Sequence, residues 1–285
     1  MSHILTKIIP LYEGKPTGSE DWHFEEITKV DAAKPYSPYT YNVSEPTLTY
    51  FPPNPYATVK TDTAMIIAPG GGFQYLSIEK EGIQLARYMA NKGISVFLLK
   101  YRTNPSKTDN PKKELQDILT GKVEGGIKAF EKIVPLCTMD AIAAMQYIRT
   151  NAAQYGIHLQ KIGFAGYSAG GCIALALAKN APKELLPNFI APIYPYYHNI
   201  PGNVPKKSEV NIPIFLAVAG NDELNLTTHS IAAYQDWVAA GQSAELHVFE
   251  KGGHGFGLFT QNLPSDKWIE NFLAWLQHNN YIKGI

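Results

Sequence analysis

The stretch Lys161-Ile162-Gly163-Phe164-Ala165-Gly166-Tyr167-Ser168-Ala169-Gly170-Gly171 decides the fold. It reads as a short apolar run, a crowded turn of small residues, and a helix that opens at Ala169 and runs through Ile173, Leu175 and Leu177. The turn has the form G-x-S-x-G. A serine held where a strand reverses sharply into a helix keeps its hydroxyl in the open, and Gly166 and Gly170 leave room for backbones that a Cβ would block. That is the posture of a nucleophile, and the free N–H groups of the helix start favour negative charge beside it. Five such residues also occur by chance in glycine-rich turns, so the strand before them and the helix after them carry the weight.

Outward from this stretch the same alternation repeats. Upstream, Ala64-Met65-Ile66-Ile67-Ala68 is a continuous apolar run, as expected of a strand buried on both faces, and it ends in Pro69-Gly70-Gly71-Gly72-Phe73. A helix is predicted over about 79–91, with Gly93 as its stop, and Ile94 to Leu99 reads as the next buried strand. Strand, helix, strand makes a right-handed crossover with a parallel pair. A helix over about 139–155 leads into the Ser168 strand. Downstream come strands at 189–194, 214–218 and 246–249, with helices at about 228–240 and 265–278. The fold class is therefore α/β, a mostly parallel central sheet covered by helices on both faces. Before residue 60, islands at 25–30 and 47–51 alternate between prolines and suggest an antiparallel edge pair, with 34–39 an extended loop between them. Residues 1–285 read as one domain. Within it, 103–137 breaks the alternation with a proline-rich loop and short helical patterns at Val123, Ile127, Phe130 and Val134, a surface insertion or a lid.

Reactive groups of such a sheet gather in loops at the carboxyl ends of the strands. After the strand ending at Val218 comes Ala219-Gly220-Asn221-Asp222-Glu223, and after the one ending at Phe249 comes Glu250-Lys251-Gly252-Gly253-His254-Gly255-Phe256-Gly257. One supplies a carboxylate and the other an imidazole on the edge that displays Ser168. A serine hydroxyl is a poor nucleophile at neutral pH, so His254 is expected to take its proton and later return it to the leaving group. Asp222 is expected to fix the ring's tautomer, with its neighbour Glu223 the alternative acid. Among the 8 histidines, His198 also follows a strand but precedes the acid, which suits a pocket wall or surface. The glycines Gly70-Gly71-Gly72 let main-chain N–H groups approach a developing oxyanion, and Ala169 offers another donor; each is worth around 3 kcal/mol in catalysis. No G-K-[ST] follows them, which speaks against a nucleotide loop.

Composition narrows the partners. Lys+Arg and Asp+Glu number 25 each, so no global field favours nucleic acid or an anionic bilayer, and a neutral or small polar substrate fits better. No run approaches the roughly 18–20 apolar residues of a membrane span. Two cysteines, Cys137 and Cys172, make neither a disulfide framework nor a zinc knuckle, and no metal or cofactor is expected. Met1 to Lys7 lacks a long apolar segment, so the chain as written reads as cytoplasmic, or as exported had a leader been removed.

With these residues in hand, the sequence resembles the α/β-hydrolase superfamily, and within it the acetyl esterase/lipase group close to carbohydrate acetyl esterases. The marks are Gly-Tyr-Ser-Ala-Gly-Gly, Asn-Asp and Gly-Gly-His-Gly-Phe, and the match runs from about residue 63 to the end. The resemblance implies Ser168, Asp222 and His254 as a triad, and Gly71, Gly72 and Ala169 as oxyanion donors. The hormone-sensitive-lipase-like branch has His-Gly-Gly-Gly where this chain has Pro69-Gly70-Gly71-Gly72, a departure that keeps the glycines but loosens that assignment. The expected reaction is hydrolysis of short acyl esters, with a small-molecule or carbohydrate ester as partner. A serine peptidase and a noncatalytic binding protein of the same fold are the alternatives. Phe73, Gln74, Tyr75, Tyr194, Tyr196 and Phe256 are expected around the substrate, either stacking on sugar rings or walling a small acyl pocket.

Overall fold

The computed structural model describes residues 6–31, 34–59, 61–123, 126, 128–198 and 200–283. Ten strands appear among them: β1 (Lys7–Pro10), β2 (Ile27–Asp31), β3 (Lys34–Tyr41), β4 (Thr47–Phe51), β5 (Ala64–Ala68), β6 (Ser95–Lys100), β7 (Ile162–Tyr167), β8 (Phe189–Ile193), β9 (Ile214–Ala219) and β10 (Ala244–Phe249). Six α-helices accompany them: α1 (Gln84–Asn91), α2 (Pro111–Leu119), α3 (Lys128–Thr150), α4 (Ala169–Asn180), α5 (Leu226–Ala239) and α6 (Trp268–His278). Eight strands form one sheet in the order β1-β4-β6-β5-β7-β8-β9-β10, parallel from β6 to β10 and antiparallel at β1 and β4.

The apolar runs become central strands because both their faces are covered. Ile66 and Phe164 pack with α3, α4 and α5, while Met65, Ile67 and Ala165 turn to the opposite layer with α1 and α6. Each fully buried Ile or Phe contributes about 1.5–3 kcal/mol relative to exposure. Gly163 is needed in β7 because the Phe189 ring of β8 fills the space a side chain would take. Register then aligns the carboxyl ends. Ala68 pairs with Gly166, Gly166 with Pro192, and Ala219 with Phe249, so the loops after β5, β7, β8, β9 and β10 share one edge.

The amino-terminal region departs from expectation. The islands in 25–30 and 47–51 do not pair with each other: β2 pairs with β3 in a separate two-stranded sheet, and β4 joins the main sheet between β1 and β6. Residues 34–39, expected as a loop, lie in β3, which bonds on to Leu76 through the Thr40 amide and carbonyl at 3.0 and 2.7 Å. Residues 1–5 of the amino-terminal reading lie outside the described residues.

A second departure is α3, which begins well inside 103–137 and passes through Pro135. Proline costs about 3 kcal/mol inside a helix. The apolar stripe Phe130, Ile133, Val134, Cys137, Ala141, Met145, Ile148 continues across it into the core, and that burial outweighs the lost bond. Val123 is exposed outside any helix, and Ile127 lies outside the described residues. Among the described residues no helix is long and apolar enough to cross a membrane.

Candidate active site

Ser168 stands between β7 and α4 at φ 51° and ψ −111°, a conformation that costs a non-glycine residue about 1–3 kcal/mol. The surrounding bonds over-determine it. Its N–H donates to the Ile193 carbonyl at 3.0 Å, and its carbonyl accepts from Cys172 at 2.9 Å and Tyr196 at 3.3 Å. The flanking glycines are obligatory, since a Cβ on Gly166 would strike the Gly170 carbonyl and one on Gly170 the Ala68 carbonyl.

The three sequence-read side chains meet here. Ser168 Oγ lies 3.1 Å from His254 Nε2, and His254 Nδ1 lies 2.8 Å from Asp222 Oδ2. A carboxylate only accepts, so Nδ1 carries the ring proton and Nε2 is left bare to accept from the serine hydroxyl. The Asp222 side chain is wholly buried, and its second oxygen accepts from Leu224 N–H at 2.9 Å. Glu223 is not the acid at Nδ1. Its carboxylate accepts from the His254 main-chain N–H at 2.6 Å, while Asn221 Oδ1 accepts from Gly252 and Gly253 N–H, both at 3.0 Å. Three successive side chains thus hold the histidine loop, two of them through its backbone.

Facing Ser168 is the loop after β5. The Gly70 carbonyl accepts from Ser77 N–H at 2.9 Å, and the Gly71 carbonyl accepts from Gln74 and Tyr75 N–H at 3.1 and 3.2 Å. In a trans peptide the N–H points opposite the carbonyl of the preceding residue, so these bonds fix the Gly71 and Gly72 N–H directions as well. Gly71 needs its φ of 130°, which only glycine adopts readily. Among the described residues, no acceptor of the chain takes the N–H of Gly71, Gly72 or Ala169.

A cavity of about 1090 Å³ opens over these groups. Of the six residues expected around the substrate, Phe73, Tyr75, Tyr196 and Phe256 line it, and His198 stands in its wall. Gln74 and Tyr194 do not. The chain coils back on Gly71 and carries the Gln74 amide to within 3.5 Å of Glu114 on α2, and the buried Tyr194 ring packs behind His254 at 5.0 Å between centroids. Sequence reading missed other lining residues: Leu115, Phe130, His229, Lys80 and Glu81. Leu115 and Phe130 are residues of the 103–137 range that stand in the cavity wall, with the Leu115 side chain occupying the space where a Gly72 Cβ would be. His229 is buried and accepts from Tyr197 N–H at 2.9 Å through Nδ1; burial, with His198 beside it, pushes its pKa down to about 4. Burial also raises the Cys172 thiol to about 12, so this cysteine is an inert neighbour in α4.

A family model described as alpha/beta hydrolase fold matches residues 128–212. A solved acetyl ester-xyloside bifunctional hydrolase from Caldicellulosiruptor lactoaceticus superposes with a TM-score of 0.65 over 97% of each chain, at 22% identity. The chain has the α/β-hydrolase fold. Esterase 2 of Thermogutta terrifontis, solved phosphorylated by paraoxon, gives a TM-score of 0.64 at 20% identity, over 90% of this chain and 100% of that one. In sequence, the chain is 25% identical over 256 residues to an acetylxylan esterase of Xylanibacter ruminicola, covering 80% of this chain and 47% of the relative. The chain thus spans about half the length of that curated relative.

Proposed function

We propose that this protein is a serine esterase that removes short acyl groups, acetyl foremost, from a hydroxylated substrate such as an acetylated carbohydrate. The observation that carries the reading is the relay from Asp222 through His254 to Ser168, facing the unoccupied N–H groups of Gly71, Gly72 and Ala169. Ser168 Oγ attacks the ester carbonyl while its proton passes to His254 Nε2, and the carbonyl oxygen becomes an oxyanion held by the three amides. The intermediate collapses as the C–O bond to the alcohol breaks, and His254 returns the proton to that oxygen. Water, deprotonated by the same nitrogen, then attacks the acyl carbon; its bond to Ser168 Oγ breaks, His254 returns the proton to that oxygen, and the carboxylic acid leaves. Asp222 holds the ring and offsets the imidazolium charge without taking the proton.

Likeness to the acetylxylan esterase of Xylanibacter and the acetyl ester-xyloside hydrolase of Caldicellulosiruptor supports acetyl as the group removed. Leu115, Phe130 and Phe73 give the cavity apolar lining, and His198, His229, Asn225 and Gln261 polar lining, which suits a small acyl group on a polyhydroxy alcohol. In this reading Leu115 and Phe130, both within 103–137, form part of the wall of the site. The test is hydrolysis of p-nitrophenyl acetate and acetylated xylan by the wild type and by Ser168→Ala, with a fluorophosphonate probe to label the serine. Turnover and labelling that both vanish in the variant support the reading. Wild-type turnover that survives Ser168→Ala, or absent labelling, overturns it.

A further inference from the structure

Glu81 is a carboxylate buried to 5% exposure in the half-polar segment 79–91, and the chemistry above gives it no task. It sits in a π-helical turn, Glu79–Ile83, where the Ile83 N–H reaches back five residues to the Ile78 carbonyl. Such turns recur at functional sites. Each of its oxygens has a separate partner. Oε2 accepts from the Gly70 N–H at 3.0 Å, and Oε1 accepts from the Tyr194 hydroxyl at 2.9 Å. The Tyr194 oxygen in turn accepts from the Gly257 N–H at 3.2 Å, and the Gly257 carbonyl is held by Trp268 Nε1 at 2.6 Å.

Along this ladder the Gly257 N–H donates to Tyr194 and the Tyr194 hydroxyl to Glu81, while the Gly70 N–H donates to Glu81 from the other side. One amide, that of Gly70, and one hydroxyl, that of Tyr194, therefore donate directly to the Glu81 carboxylate, and the Gly257 amide supports the hydroxyl from behind. The ladder joins loops whose strands lie far apart in the sheet, since β7, β8 and β9 separate β5 from β10. One end is the peptide just before the oxyanion amides and the other lies three residues past His254. Tyr194 also sets its ring against His254, and its own φ of 39° shows a backbone held against preference.

We infer that Glu81, with Tyr194, is a positioning residue that clamps the oxyanion loop to the histidine loop, so that amides and imidazole keep one geometry over Ser168 through both halves of the reaction. The inference rests on the esterase reading. Small displacements of such groups cost rate out of proportion to their size, because the amides act on the oxyanion that forms only at the transition state.

Glu81→Gln cannot satisfy both sides: its NH2 either opposes the Gly70 N–H, or turns to Tyr194 and takes away the acceptor of the hydroxyl proton. Glu81→Asp keeps the carboxylate group but is one methylene too short to span them. The experiment measures kcat and KM on p-nitrophenyl acetate per serine titrated with an organophosphate, for wild type, Glu81→Gln, Glu81→Asp, Tyr194→Phe and the Gln/Phe double variant, with melting temperatures alongside. The expected result is kcat per titrated serine lowered about 10–100-fold in Glu81→Gln and Tyr194→Phe, with KM within about threefold. Glu81→Asp is expected to be impaired too, and the double variant no worse than the worse single one. A fall confined to the number of titratable serines, or a Glu81→Asp variant equal to wild type, overturns the clamp while leaving the esterase intact. Wild type without ester turnover overturns it together with the reading beneath it.

Discussion

Replacing Asp222 with asparagine separates the roles of two adjacent acidic residues. The asparagine can be seated in two ways, and the structure decides between them. With its carbonyl toward His254 Nδ1, its NH2 would face the Leu224 N–H, donor against donor at 2.9 Å. The other seating satisfies Leu224 and points NH2 at Nδ1, which then must accept. The ring proton moves to Nε2, 3.1 Å from Ser168 Oγ, and the imidazole becomes a donor where a base is required. The geometry survives but the tautomer is wrong, and losses of about 10³–10⁴ in kcat, or 4–5.5 kcal/mol, follow from that alone. Glu223→Gln is the control, because its amide oxygen still accepts from the His254 N–H and should cost less than about tenfold. The assay is kcat/KM on p-nitrophenyl acetate, with circular dichroism to show that both variants fold. An Asp222→Asn enzyme within tenfold of wild type, or a Glu223→Gln enzyme with the larger loss, refutes this assignment.

His229 is neutral in the fold down to about pH 4 but titrates near 6.5 when unfolded, so the unfolded state binds the extra proton between these values. Stability should therefore fall as pH drops from 6.5 to 4, by on the order of 2 kcal/mol, and urea midpoints of His229→Gln should lose that component of the slope. Asp140→Ala strands the Arg102 guanidinium, wholly buried and paired at 2.7 Å, and should cost about 3–5 kcal/mol in urea unfolding. Kinetics of the folded fraction should stay near wild type, since neither residue lines the cavity. Leu115→Ala removes apolar wall beside Gly72 and should raise the butyrate-to-acetate ratio of kcat/KM about tenfold; an unchanged ratio means the leucine faces another part of the substrate.

What was legible in the sequence follows from how far each cause acts along the chain. A strand buried on both faces leaves an unbroken apolar run, so β5, β7, β8 and β9 could be read directly, and parallel register then put Ser168, Asp222 and His254 on one edge. The edge strands β1 and β4 and the pair β2–β3 carry no such signature, because partners far off in the chain, rather than local composition, decide what they join. Pro135 hid the start of α3, although the apolar spacing on either side of it was continuous. Asp222 and Glu223 show the resolving limit most sharply. Both are acidic residues of one loop, and only the backbone course after β9 sends one to the imidazole and the other to the main-chain amide of the same histidine. Glu81 was out of reach for a further reason. Its partners lie 11 residues away at Gly70 and 113 away at Tyr194, and a glutamate among polar helix residues ordinarily faces water. What makes it different is convergence: two loops, each placed by its own strand, bring one donor apiece to the same point, and an acceptor with two oxygens is what that point requires.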